Sequence, residues 1–346
     1  MLSVHERERK GERKSRFVIS LDFELFWGVK DHVRLEHYRE NLLGVRHAIP
    51  GMLSLFRQYD VHATWATVGM LFSETREQLI ENSPTLRPSY LERGLSNYEL
   101  MSDVGRDEES DPYHFAGSLI RLIRDTPGQE LATHTFSHYY CLESGQTVET
   151  FRADLQAAIR AAARFDVPIR SIVFPRNQFR PEYLGTCVEA GLKAYRGNPR
   201  HWLYEPAASA KEKRAFLKRG LRLADSYINL SGTHVQFQKQ EFGGIVNVPA
   251  SRFLRPFSIR FRKFEAMRAR RIHSDLQATS QCGGLYHLWW HPHNFGANTA
   301  ENLALLERIL EKFARLRETH GMESLSMAEY AAPQTSSAIA AAELLL

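Results

Sequence analysis

The stretch from residue 130 to 138, ELATHTFSH, reads as a short buried strand that runs into a polar turn. Leu131, Ala132 and Thr133 are apolar or β-branched, and the two histidines that follow, His134 and His138, stand four residues apart. If the chain turns helical after the strand, both imidazoles project from one face with Cβ atoms ~6 Å apart, which suits two ligands of one metal ion. A lone pair of histidines at this spacing is common on protein surfaces. Its meaning depends on what the rest of the chain brings to the end of this strand.

Outward from that stretch, short apolar runs alternate with longer amphipathic ones. Strands are expected at 16–21, 61–68, 131–133, 169–174, 221–224, 245–248 and 285–290, from their β-branched and aromatic content. Helices are expected at about 41–59 (interrupted near Pro50), 148–165, 181–190 and 299–319. The second of these carries Phe151, Leu155, Ile159 and Ala162 at helical spacing. Such alternation implies right-handed βαβ units and a mostly parallel sheet. The number of units favours an α/β fold of one domain, an irregular (β/α)7-type barrel. Residues 1–15 are expected as a disordered basic arm, 16–330 as the barrel, and 331–346 as a weakly ordered tail.

In parallel barrels, chemistry gathers at the C-terminal ends of strands. The unusual polar residues fall at such ends: Asp22 and Glu24, His134 and His138, Arg176 and Asn177, Asp225, and His291. Two histidines and one carboxylate leave an open position on a divalent ion, the arrangement used for hydrolysis. VISLDFELFWG offers Asp22 and Glu24 two residues apart, so strand alternation places both on one side and Phe23 on the other. Residues 17–21 and 25–27 are almost all apolar, and acids bracketed by core-forming sequence need a partner.

Composition bounds the rest. The 346 residues are 43% hydrophobic and 25% charged, which is the mix of a globular protein with a sizeable core. No apolar run approaches the ~20 residues of a membrane span. The basic start is followed by an apolar stretch broken by Asp22 and Glu24. No clean export signal is therefore read, and a cytoplasmic protein is expected. Cys141, Cys187 and Cys282 are scattered without CxxC spacing, which argues against a disulfide framework or thiolate zinc. From 252 to 271, eight of twenty residues are Arg or Lys, interleaved with aromatic and aliphatic ones. That segment is either a solvated face or a contact for an anionic carrier or membrane surface. No nucleic-acid motif accompanies the charge, and no nucleic-acid partner is expected.

HTFSH resembles the histidine motif of the polysaccharide (chitooligosaccharide) deacetylases, carbohydrate esterase family 4. VHATWATVG, GLRLADSY and LYHLWWHPH resemble that family's second strand, its late strand ending in Asp, and its closing L-x-x-H segment. The resemblance runs in order from about 16 to 330. It implies a barrel that removes an N-acetyl group from an amino sugar with a divalent metal, zinc first and cobalt, nickel or iron as substitutes. With the basic segment and the cytoplasmic expectation, the sugar would sit in a glycan or polysaccharide precursor carried on a lipid or nucleotide diphosphate, met in the cytoplasm or at the inner membrane face. By the same resemblance Asp22 is the base, Glu24, His134 and His138 hold the metal, and His291 is the acid, oriented by Asp225. Asp-x-Glu replaces the family's paired aspartates, so the roles of Asp22 and Glu24 are exchangeable, and His293 rivals His291. The family's third motif gives an Arg that pairs with the base; here the strand ends FPRNQF, which puts Arg176 in that role. Trp27, Tyr139, Trp290 and His293 are the expected substrate contacts. Two other functions fit the residues: hydrolysis of another linear or cyclic amide, and carbohydrate binding without catalysis.

Overall fold

The computed structural model describes residues 14–199, 201–204 and 213–333. In chain order its regular elements are β1 (Ser15–Phe23), α1 (Leu35–Gln58), β2 (Ala63–Thr67), α2 (Arg76–Asn82), α3 (Gly117–Arg124), β3 (Gln129–Thr133), α4 (Val148–Ala163), β4 (Ser171–Ile172), α5 (Pro181–Glu189), β5 (Ala194–Tyr195), α6 (Lys213–Asp225), β6 (Gln240–Phe242), β7 (Ile245–Asn247), β8 (Arg252–Phe253), α7 (Glu265–Cys282), β9 (Gly284–Trp290), α8 (Thr299–His320), β10 (Glu323–Leu325) and α9 (Met327–Ala331). Most of the arm and of the tail read in the sequence, 1–13 and 334–346, lie outside the described residues.

The strands form one curled sheet in the order β6-β7-β5-β4-β3-β2-β1-β9-β8, with β10 also on β1. Every pair is parallel except β6 with β7. The extended run from β7 to β8 brings the sheet round on itself. Its first half donates from Val246, Val248 and Ala250 to the β5 side, and its second half from Ser251 and Leu254 to β9 carbonyls. The result is the expected α/β barrel.

Alternation sorts β1 between two cores. Phe17, Ile19, Leu21 and Phe23 face outward and pack with Met52 and Phe56 of α1 and Ile309 and Phe313 of α8. Val18 points inward to a smaller cluster with Ala66, Val173, Ala194 and Val248, which Met327 and Tyr330 of α9 plug from the N-terminal end. A reciprocal Ser326–Glu329 capping box starts that plug. The opposite end of the barrel is left for polar side chains.

Two elements differ from expectation. Pro50 does not interrupt α1, because it lies on the exposed side while Leu42, Val45, Ile49, Met52, Leu53 and Phe56 keep a continuous buried stripe. Residues 221–224 are not a strand but the last turn of α6. Lys213–Asp225 contains no β-branched residue and is rich in Lys, Arg, Leu and Ala, and helix propensity decides a short apolar run of that kind.

Candidate metal centre

β1 and β3 deliver their C-terminal ends side by side through β2, with Asp22 opposite Ala66 and Ala66 opposite Ala132. Just beyond, Glu24 Oε2 lies 3.3 Å from His134 Nε2 and 3.2 Å from His138 Nε2. The three candidate ligand atoms are within 4.8 Å of one another and all three residues are buried. His134 Nδ1 donates to the Val173 carbonyl at 2.8 Å, which leaves the Nε2 lone pair for an ion and fixes the ring. Burial alone would raise the Glu24 carboxyl, but the imidazoles of His291, His134 and His138 outweigh it and hold it well below its usual range. Burial lowers His138, with Glu24 opposing, so its ring is neutral near pH 7 as a ligand must be. Two imidazoles and one carboxylate fit a divalent ion with an open coordination position.

The loops that present these ligands are bent into uncommon backbone conformations. Leu25, Thr135 and His138 have φ of 46°, 65° and 56°, the left-handed region that side chains disfavour. Asp154 of α4 holds the histidine loop: it accepts from the backbone N–H of Phe136 (2.6 Å) and Ser137 (3.2 Å), from the Ser137 hydroxyl, and from Tyr98 Oη (3.1 Å). Burial pushes Asp154 up to about 6 despite these donors. Asn97 Nδ2 ties the two ligand loops together, donating to Trp27 O (2.8 Å) and Ser137 O (2.9 Å). Tyr90 Oη accepts from the Tyr140 N–H at 2.9 Å. The segment from 84 to 128, between α2 and β3, thus buttresses the loops that present these ligands, a role not visible in its sequence.

Asp22 is gripped by Arg196, whose two terminal nitrogens reach its two oxygens at 2.7 Å each, both side chains buried. Burial would raise Asp22; Arg196 first, then His134 and His291, bring it below its usual range. Arg196 also donates to Ser20 Oγ (3.0 Å) and Asn177 Oδ1 (2.9 Å), and its guanidinium lies 4.2 Å from the Trp289 ring centre. His291 Nε2 stands 3.7 Å from Asp22 Oδ2 and 3.6 Å from Glu24 Oε1, in partial contact with solvent. His293 stacks behind it with ring centres 5.1 Å apart, pushed down to about 3 chiefly by burial. Asp22, Glu24, His134, His138, His291 and His293 all line one cleft of about 450 Å³.

Other expected site residues make different contacts from those expected, although Arg176 also lines the cleft. Arg176 does not pair with Asp22. After Pro175 both Arg176 and Asn177 adopt φ of 54°, and the loop carries Arg176 to the rim, onto Asp31 and Glu143 and over the Tyr140 ring at 4.2 Å. Arg196 takes that place because it directly follows β5, whose two residues are too short to read as a strand. Asp225 does not orient His291: at the end of α6 it binds Arg252 (3.1 Å), Tyr204 (2.5 Å) and Ser231 (2.7 Å).

Trp27, Tyr139 and Trp290 are fully buried and line no part of the cleft. The β1–β9 register explains Trp290: it lies opposite outward-facing Leu21, whereas Trp289 lies opposite Ser20 and faces the barrel mouth. Trp289, Phe253 and Tyr38 are the aromatic walls. Within the basic segment, Arg252, Arg268 and Arg271 are buried in ion pairs with Asp225, Asp275 and Glu265. Arg260, Arg262, Lys263 and Arg270 are exposed. Cys141 and Cys187 are buried free thiols and Cys282 is exposed. No helix among the described residues is long and apolar enough to cross a membrane.

No protein-family model and no curated protein matches this sequence. Solved structures do match. A candidate polysaccharide deacetylase from Mycobacterium smegmatis aligns with 94% of this chain and 95% of its own at 14% identity, with a TM-score of 0.55. A GH57-type branching enzyme from Pyrococcus horikoshii aligns over 93% and 71% at 12% identity, TM-score 0.53. The α-amylase AmyC from Thermotoga maritima aligns over 92% and 74% at 8% identity, TM-score 0.52. Likeness at such identity is a likeness of fold, and it is shared by proteins named for different chemistry.

Proposed function

We propose that this chain is a metal-dependent hydrolase that removes an N-acyl group, acetyl in the simplest case, from an amino sugar. One observation carries the reading: a buried Glu24–His134–His138 ligand set shares its cleft with an arginine-clamped carboxylate and a solvent-touching histidine, each within 4 Å of the next. Zinc fits this donor set, with cobalt, nickel or iron as substitutes. When bound, such an ion supplies a Lewis acid for the amide carbonyl and an acidified water.

The chain's own groups divide the proton work. Asp22 is ionised and cannot rotate away from Arg196, so it receives the proton of the attacking water. His291 reaches both acids and gives a proton to the departing nitrogen, which would otherwise leave as a very poor amide anion. Glu24, engaged by both imidazoles, is the ligand rather than the base. Trp289 offers a flat face for a sugar ring at the cleft mouth. The expected setting is a cytoplasmic step in glycan or polysaccharide precursor synthesis.

The fold is also that of glucan-acting proteins, but glycoside hydrolysis by paired carboxylates needs one acid protonated and free to face the leaving oxygen. Here Asp22 is held by a guanidinium and Glu24 by two imidazoles, which favours amide hydrolysis. Hydrolysis of a non-sugar amide would use the same residues, and a substrate panel separates the two.

The test is metal content and acetate release from N-acetylated oligosaccharides, in wild type and His134→Ala. Near-stoichiometric metal in wild type that disappears with activity in the variant is expected. A wild type that takes up no added zinc would leave a carbohydrate-binding barrel as the better account.

A further inference from the structure

The inward face of β9 carries His287, Trp289 and His291 at alternate positions, and Trp289 and His291 line the cleft. His287 lies one layer deeper, opposite inward-facing Val18, and is wholly buried. Its ring is bonded at both nitrogens. Nδ1 lies 3.0 Å from the Val248 carbonyl oxygen, and Nε2 lies 2.8 Å from Ser20 Oγ. A carbonyl can only accept, so Nδ1 carries the hydrogen. Burial, helped by the Arg196 charge, draws the ring down to about 3, so near pH 7 it is neutral and Nε2 keeps a bare lone pair. The Ser20 hydroxyl therefore donates to His287, and its oxygen is left to accept. It accepts from Arg196 Nη1 at 3.0 Å.

A guanidinium has five N–H bonds, and at Arg196 each has an acceptor. Nη1 reaches Ser20 Oγ and Asp22 Oδ1, Nη2 reaches Asp22 Oδ2 and Asn177 Oδ1, and Nε reaches Asn177 Oδ1 at 3.3 Å. A hydroxyl rotates freely unless something claims its hydrogen. The bare Nε2 of His287 holds the Ser20 hydrogen away from the guanidinium, which it would otherwise repel. The chain of bonds thus runs from the Val248 carbonyl through His287, Ser20 and Arg196 to the Asp22 carboxylate, and all four side chains are buried. It crosses the barrel from β9 and β1 to the end of β5, so no local pattern in the sequence announces it.

We propose that His287 and Ser20 are positioning residues for the hydrolysis: they fix the guanidinium of Arg196, and through it turn the Asp22 carboxylate toward the attacking water. The proposal rests on the hydrolase reading for the reaction and on the hydrogen bonds alone for the chain of contacts. Neither residue touches the reacting atoms. A core histidine needs only satisfied nitrogens; His287 differs in that its second bond leads, through Ser20 and Arg196, to the base. Without the Ser20 hydroxyl, a buried cation loses one acceptor and is free to tilt, and the carboxylate it grips tilts with it.

The first measurement needs no substrate. In zinc-loaded protein labelled with nitrogen-15 histidine, long-range proton–nitrogen spectra near pH 7 are expected to show His287 as a neutral ring protonated at Nδ1. Its signals are those missing from His287→Gln. Ser20→Ala is expected to move the Nε2 resonance and leave Nδ1 in place. A ring protonated at Nε2, or at both nitrogens, overturns the proposal, because Ser20 would then not be donating to it.

The second measurement is acetate release from N-acetylated oligosaccharides. Ser20→Ala and His287→Asn are expected to lower kcat about tenfold, with KM and bound zinc unchanged. The Asn amide reaches the place of Nδ1 and leaves Ser20 without its acceptor. The Gln amide, one methylene longer, reaches the place of Nε2, so His287→Gln recovers most of the rate. Equal losses in Asn and Gln, or losses that follow zinc content or melting temperature, overturn the positioning role and leave a core histidine. Where His287→Asn does not fold, Ser20→Ala decides, since it removes one hydroxyl and little bulk; a wild-type kcat in that variant also overturns the proposal. Failure of the hydrolase reading looks different: no acetate release from wild type, with the Nδ1 tautomer of His287 and its response to Ser20→Ala intact.

Discussion

The metal side and the arginine side of the cleft stand on different kinds of scaffold. Glu24, His134 and His138 are carried by β1 and β3, which clasp β2 through five paired positions on each side. The arginine side is carried by β5 and β8, two residues each, and by side-chain ion pairs such as Arg252 with Asp225 and Asp275. Backbone ladders fix ligands that must meet one ion, because a site is only as well placed as the element beneath it. Ion pairs between side chains hold the other wall. Arg196 joins the two: it springs from short β5 and locks Asp22 at the end of long β1.

The largest test of that comparison is therefore Arg196→Ala set against Arg176→Ala. Removing Arg196 leaves Asp22 buried without its counter-charge and is expected to lower stability by about 3–5 kcal/mol. Acyl hydrolysis should fall at least about 100-fold in whatever protein folds, because the base loses both its charge partner and its orientation. Arg176 is a third exposed and pairs at the rim, so its loss should cost at most about 1 kcal/mol. Urea unfolding of both variants checks this. A more damaging Arg176→Ala would return the base-pairing role to the FPRNQF loop.

The same contrast explains what could be read from the sequence. The HxxxH pair and Asp-x-Glu at the end of an apolar strand are local signals, and both are found where they were expected, as is the alternating pattern outside 221–224. Arg196, Asp225 and the two tryptophans depend on pairing between distant segments. LYHLWWHPH does not reveal which Trp faces the mouth until Ser20 is seen opposite Trp289. KAYRGN shows no strand, because two residues make no period. The basic segment from 252 to 271 reads as a solvated face or an anion contact, yet three of its arginines, Arg252, Arg268 and Arg271, are buried against Asp225, Asp275 and Glu265, partners up to 27 residues away in the chain. Of these, an arginine directly before Gly197 and after a short apolar run is the one clue that a closer look at strand ends would have caught.

Asp154 gives a test of intermediate size, directed at the buttress behind the metal loops. Its folded pKa is about 6, above the ordinary 3.8, so between about pH 4 and 6 the folded chain holds a proton that the unfolded chain has released. Stability from this group is therefore full below about pH 4 and is lost as pH rises through 6, by about 2–3 kcal/mol in all. Asp154→Asn keeps an acceptor for the Phe136 and Ser137 N–H groups but cannot titrate. The difference in unfolding free energy between wild type and Asp154→Asn should thus shift by about 1.5–2 kcal/mol between pH 4.5 and 6.5, most of the whole effect. A pH-independent difference would mean that the donors around Asp154 keep it ionised throughout.

The smallest effect probes the metal side alone. Gly28 lies under Glu24, and a methyl group there would run into the Glu24 carboxylate. The obstructing atoms are the end of a flexible side chain, so Gly28→Ala is expected to change the melting temperature little while displacing a ligand by a fraction of an ångström. Shifting a ligand in this way should weaken zinc about tenfold, as loss of a supporting contact around a metal commonly does. Gly185 in α5 is the control, because a methyl there meets nothing among the described residues. Gly185→Ala should stabilise the chain by about 0.5–1 kcal/mol and leave zinc affinity alone. Equal zinc affinity in Gly28→Ala and wild type would show that Glu24 can retreat without leaving the ion, and hence that the metal side is less rigid than its strand ladders imply.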